Sequence, residues 1–176
     1  MKLASFCQLL LLGLVGCGYH TVRGGHASSE RLAIVLVTTN VTDAVASDEV
    51  VSGIREELSA SGALETGTGY PRCEVEVLRA DEASDGIAAT RAQPDGPLLP
   101  SARATRIGIV ARAWVVRSKD GPRERDTGDV RATDTVAVAS DARAATFQQL
   151  DTLRATARRA GHRMGLRLLG QPAASD

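Results

Sequence analysis

Ile107-Gly108-Ile109-Val110-Ala111-Arg112-Ala113-Trp114-Val115, then Lys119-Asp120-Gly121-Pro122, then Val130-Arg131-Ala132-Thr133-Asp134-Thr135-Val136-Ala137-Val138: these three runs decide the fold. In the first, Ile107, Ile109, Ala111, Ala113 and Val115 occupy alternate positions, the period of a strand with one buried face. That strand is read over Arg103 to Ser118. The second run is a turn signal of Asp-Gly type, which reverses the chain tightly. In the third, Val130, Ala132, Val136 and Val138 are in phase, so the return strand is read over Arg123 to Ala139. An antiparallel pair with one apolar face needs a second layer to cover it.

Downstream, that cover is a helix. From Ala142 to Leu169, the residues Phe147, Leu150, Leu153, Ala157, Ala160, Met164 and Leu168 recur every three or four positions. Gly161 and Gly165 each weaken it by about 1 kcal/mol relative to Ala, and Gly170 with Pro172 ends it. Upstream, Leu32 to Val37 is a continuous apolar run of strand length. Asn40 to Asp43 is a turn, with Thr42 or Ser47 as cap. Val50, Val51, Ile54 and Leu58 then mark a helix over about Ser47 to Ser61, stopped by Gly62. After a Gly-rich turn ending at Pro71, residues 72–79 alternate as a strand. Residues 80–102 carry three Pro and two Gly without lasting periodicity and read as a long loop, with a weak strand or turn around Gly86 to Thr90. The expected fold is α+β (α/β in the broad sense): a two-layer sandwich of a mixed four-stranded sheet with two helices on one face, in the order β-α-β-β-β-α.

The N-terminus carries an address. Lys2 precedes the apolar run Leu9 to Val15, which ends at Gly16-Cys17. A bilayer span needs roughly 20 apolar residues, so this run is of signal-peptide length. Leu14-Val15-Gly16-Cys17 resembles the lipobox of bacterial lipoproteins, in which the Cys receives diacylglycerol and becomes the first residue. An ordinary signal peptide, or a buried helix with a chance Cys, are the alternatives. The expected division is a signal over 1–16, a lipidated tether over 17–30, a domain over 31–170 and a tail over 171–176. Gly18, rather than Asp, follows the Cys, and by the enterobacterial sorting rule this favours the periplasmic face of the outer membrane.

The chain has 176 residues, 21 basic and 21 acidic, with 3% aromatic. Zero formal charge and few aromatics argue against a nucleic-acid partner. Loss of 1–16 removes Cys7 and Lys2, leaving a charge of −1 and Cys73 as the single free thiol. Cys73, on the apolar phase of its strand, reads as a small core residue rather than a nucleophile.

Several short motifs, in order, resemble the LPS-assembly lipoprotein (LptE-like) family. The lipobox is followed at once by Gly18-Tyr19-His20, and the first strand closes in Asn40-Val41-Thr42. Gly53-Ile54-Arg55-Glu56-Glu57-Leu58 resembles the family's first helix, and the element order matches across nearly the whole mature chain. Leu36 and Thr38 depart from the family's usual Pro and Phe, and residues 80–102 do not match it clearly. The resemblance implies a plug within the outer-membrane β-barrel that delivers lipopolysaccharide (LPS) to the cell surface, and contact with LPS itself. It implies no catalytic residue. The position it transfers is the lipid attachment site, Cys17.

A search for chemistry finds little else. His20, His26 and His162 do not pair with Cys or with one another at ligand spacing, so no metal site is expected. Gly67-Thr68-Gly69 completes no nucleotide-binding pattern, and neither a Gly-x-Ser-x-Gly elbow nor a Walker pattern occurs. No enzyme activity and no cofactor beyond the covalent lipid are expected. Charge is unevenly spread: ten acids against three Arg over 43–82, and six Arg against Asp151 over 143–167. Arg154, Arg158, Arg163 and Arg167 are candidate contacts for LPS phosphates or an acidic barrel wall, since guanidinium forks match both. A solvated helix face is the alternative. Trp114, on the strand face away from Ile107 and Ile109, is a candidate partner contact or a buried core residue.

Overall fold

A computed structural model of the protein describes residues 30–91, 98–137 and 141–172, with backbone alone for 85–91 and 98–103. The elements are β1 (Ala33–Thr39), α1 (Ala44–Ala60), β2 (Arg72–Arg91), β3 (Leu98–Val116), β4 (Val130–Ala137) and α2 (Ala142–Leu168). The sheet runs β1-β2-β3-β4, with β1 parallel to β2 and the other neighbours antiparallel. Both helices cover one face. Val50, Ile54 and Leu58 of α1, with Ala157, Ala160, Met164 and Leu168 of α2, close over Val75, Val77, Ile109, Ala111, Val115 and Val130. The expected mixed-sheet sandwich and its element order hold.

The helix ends follow from local chemistry. Asp43 and Asp141 are the N-caps, each carboxylate accepting two backbone N–H bonds from the first turn. α1 therefore begins at Ala44, earlier than the apolar pattern suggested, and Thr42 and Ser47 do not cap it. At the other ends, Gly62 and Gly170 take left-handed φ of 71° each. The N–H groups of Gly62 and Ala63 bond to Ser59 and Leu58, and those of Gly170 and Gln171 to Arg167 and Leu166. This is the double bond pattern of a Schellman stop at both helices.

Three strand boundaries differ from expectation. β2 continues through Arg91, and β3 starts at Leu98, so most of the segment read as a loop is a long hairpin paired from Arg72↔Val116 to Arg91↔Leu98. Its pattern was silent for a physical reason. None of residues 79–84 is buried, so no apolar alternation is needed there, and irregularities near Leu78 and Ile87 break the phase. β4 starts at Val130 rather than Arg123. Residues 123–129 instead form a loop, with Arg125 and Gly128 at positive φ, that touches β3 through Val115↔Glu124 and the Thr127 N–H bond to Ala113. Val138 and Ala139, read as the end of β4, lie outside the described residues.

The two helices run parallel and meet backbone to backbone. A Cβ added at Gly161 would lie 2.1 Å from the Val50 carbonyl oxygen, and one at Gly53 would lie 2.2 Å from that of Arg158. At Gly165 it would lie 2.6 Å from Glu57 Cβ. The glycines that seemed to weaken α2 are thus the residues that let α1 approach it. α2 has 27 residues against 17 in α1. With this alignment, about three turns of α2 extend past the start of α1 at ~5.4 Å per turn.

Candidate lipid- and partner-facing surface

Residues 1–29, which include Cys17 and all of the expected signal and tether but Glu30, lie outside the described residues. Glu30 is tied down: its two carboxylate oxygens pair with Arg117 and Arg125. Arg125 also reaches the Leu168 carbonyl at the end of α2. The chain thus enters the domain beside the starts of β1 and β2, the end of β3 and the end of α2. We call this the near end. The β2–β3 hairpin and the start of α2 form the far end.

Trp114 faces away from the helices, as its phase requires, but is only 2% exposed. Its indole N–H donates to Glu74 Oε2 at 3.0 Å, and the Arg123 guanidinium lies 3.8 Å from the ring centroid. Arg72 holds the other Glu74 oxygen at 2.6 Å and stacks over Tyr70 at 4.5 Å. The turn after β3 folds Arg123 back over the indole, so this outer face is closed by a strip of cation–π and ionic contacts. Trp114 presents no free surface to a partner.

The arginines of α2 divide into two groups. Arg154 and Arg158 line an open cleft of about 470 Å³ with Glu49, Arg159 and His162. Arg154 pairs with Asp151 at 3.4 Å, and Arg158 with Glu49 at 2.8 Å and Glu56 at 3.8 Å. His162 lies between two carboxylates, with Nδ1 2.9 Å from Glu57 and Nε2 3.1 Å from Glu56. The acidic run of α1 and the basic run of α2 therefore face each other, and much of the charge asymmetry seen in sequence is neutralised within the molecule. Arg163 and Arg167 turn the other way, toward β4. Each donates at 2.9 Å to a backbone carbonyl, of Arg131 and Thr127 respectively. Those two contacts had no signal in sequence, because the acceptors are main-chain atoms.

At the far end, Ala80, Glu82 and Ile107 of the sheet and Leu150 and Leu153 of α2 border a groove of about 200 Å³. It is the space α1 would fill if it were as long as α2. Phe147, which shares the apolar period of α2, is 58% exposed nearby. Burial pushes the Cys73 thiol up to about 12, which keeps it protonated and inert. Among the described residues no group of three or more His, Cys, Asp or Glu is placed to hold a metal ion. No described helix is long and apolar enough to cross a membrane.

The sequence matches no protein-family model and no curated relative. In structure, the chain is similar to a minor lipoprotein from Acinetobacter baumannii. That likeness has a TM-score of 0.51 at 8% identity, covering 78% of this chain and 90% of that one. Lower TM-scores are found with a protein from Caulobacter crescentus CB15 described as a lipoprotein (0.48, 13% identity, 75% and 86% covered). Rare lipoprotein B from Shewanella oneidensis gives 0.41 at 8% identity, with 72% and 89% covered. At such identities the likeness is one of fold.

Proposed function

We propose that this chain is a lipid-anchored envelope lipoprotein, attached through Cys17, that serves as the LPS-assembly lipoprotein of the outer-membrane translocon. The observation that carries the reading is the order of parts. A lipobox-like Leu14-Val15-Gly16-Cys17 is followed by a short tether over 17–30 and then the domain of residues 31–170. The fold of that domain is shared with the lipoprotein from A. baumannii. Two or more acyl chains would make release negligible, at about 0.8 kcal/mol per buried methylene. In this role the domain binds rather than catalyses, consistent with a thiol held inert in the core and a surface whose ionic groups serve packing.

Mass analysis of the N-terminal peptide tests the anchor, and an unmodified peptide running through residues 14–20 in mature protein rejects it. Isolation from detergent-solubilised membranes tests the role: the LPS-transport barrel should copurify, and depletion should lower barrel assembly and surface LPS. Normal levels of both reject the translocon assignment while leaving the anchor intact.

One observation favours a second reading, a binding subunit of another envelope assembly or secretion complex. The basic face proposed for LPS phosphates is spent on Asp151, Glu49, Glu56 and the Arg131 and Thr127 carbonyls. Copurification of a different complex would select that reading.

A further inference from the structure

The outer edge of β4 is where the sheet ends, and an edge strand offers unpaired carbonyls and N–H groups to any other strand. Here α2 reaches over it. Arg163 Nη1 donates to the Arg131 carbonyl and Arg167 Nη1 to the Thr127 carbonyl, both at 2.9 Å. Arg159 Nη1 lies 3.5 Å from the Thr133 carbonyl, while its Nη2 is fixed 3.0 Å from Asp134 Oδ2. Arg131 and Thr133 are alternate residues of β4, and alternation in an antiparallel pair points their carbonyls away from β3.

The spacing is commensurate. Four residues of helix rise about 6 Å, and two residues of strand rise about 6.7 Å. Because α2 runs antiparallel to β4, Arg159 and Arg163, four helical positions apart, fall beside the Thr133 and Arg131 carbonyls, two strand positions apart, and Arg167 reaches on to the Thr127 carbonyl in the loop that leads into β4. A charged side chain donating to an edge carbonyl removes an acceptor and leaves a bulky cation where an incoming strand would lie. We propose that Arg159 and Arg163 on the β4 edge, with Arg167 on the loop that leads into it, form a seal that prevents strand addition at that edge and so keeps the protein from associating through it. This role is independent of what the anchored protein does.

The test uses the full-length chain purified in a mild detergent, followed by sedimentation velocity over a hundredfold range of concentration. Wild type should give one species throughout. Arg159→Ala/Arg163→Ala/Arg167→Ala should shift to dimers and larger species whose share grows with concentration. Arg163→Ala alone, a gentler change, should shift the same way but less, which covers the case in which the triple variant does not fold. Adding Thr133→Pro to either variant removes an edge donor and places a ring on the edge; it should restore the single species. The proposal is overturned if the folded variants stay a single species, or if their association survives Thr133→Pro.

Discussion

The near and far halves of the sandwich use the same sheet differently. In the near half, four strands are covered by two helices whose backbones touch at Gly53 and Gly161, and the interior is aliphatic. In the far half, α2 alone lies over the sheet. Polar contacts join the apolar ones there: Gln149 to Glu82, Arg159 to Asp134, and Asp81 between Arg79 and Arg131. The difference teaches where stability resides. Fully buried Leu58, Ile54 and Met164 belong to the near half, whereas Leu150 and Leu153 are only half-buried and Phe147 is exposed.

The largest expected effect comes from emptying the near core. Leu58→Ala should cost about 2–5 kcal/mol, the range for a buried leucine, whereas half-buried Leu153→Ala should cost about 1–2 kcal/mol on the same scale. Urea unfolding of the pair measures the contrast, and equal losses would break it.

Gly161→Ala separates two physical arguments by sign. Helix propensity alone predicts a gain of about 1 kcal/mol. The 2.1 Å approach to the Val50 carbonyl predicts a loss of about 1–3 kcal/mol as the helices are forced apart. A lower unfolding midpoint is expected; a higher one would mean that the helices do not meet there.

That glycine shows what was legible in sequence and what was not. Periodicity located both helices, because each has one apolar stripe, and it located the core stretch of β3, where alternate residues enter the core. It could not register pairing that buries no side chain, as in residues 79–84. Nor could it show that Gly161 and Gly165 are required by a second helix more than 90 residues away in sequence. The arginine surface was the least legible part. Composition reveals the number of guanidinium groups, but whether each meets a carboxylate, a main-chain oxygen or solvent is decided by tertiary placement. Trp114 was assigned to the correct face, yet its cover by Arg123 depends on a turn that only the folded chain defines.

A smaller effect should appear with acid. The Thr135 N–H, then the Arg159 guanidinium, hold the Asp134 carboxyl below the usual carboxylate range. A depressed carboxyl contributes its full stability above the unfolded value of about 4 and loses it as pH falls through the folded value. Amide exchange should therefore quicken at the far end of β4 below about pH 4 before the near half responds. Asp134→Asn should remove most of that pH dependence. Uniform loosening of both halves would contradict the division.

The smallest effect is expected at the margin. Phe147→Ser should change stability by no more than about 0.5 kcal/mol in isolated protein, as exposed positions do. A larger loss would show that the first turns of α2 are packed more firmly than their exposure indicates.

The clamp on Glu30 has a mechanical consequence. On the anchored reading, any pull between membrane and domain enters the fold at that residue and is directed along β1, parallel to its neighbour. The load is then shared by the whole β1–β2 ladder, from Ala33↔Arg72 to Thr39↔Val77, in shear rather than one pair at a time in peeling. Ahead of that ladder, Leu32 is bonded through its N–H to Ala63 and through its carbonyl to Glu65, and Glu30 is held by Arg117 and Arg125, which follow β3. A tether attached in this way can transmit tension without unzipping the domain it holds.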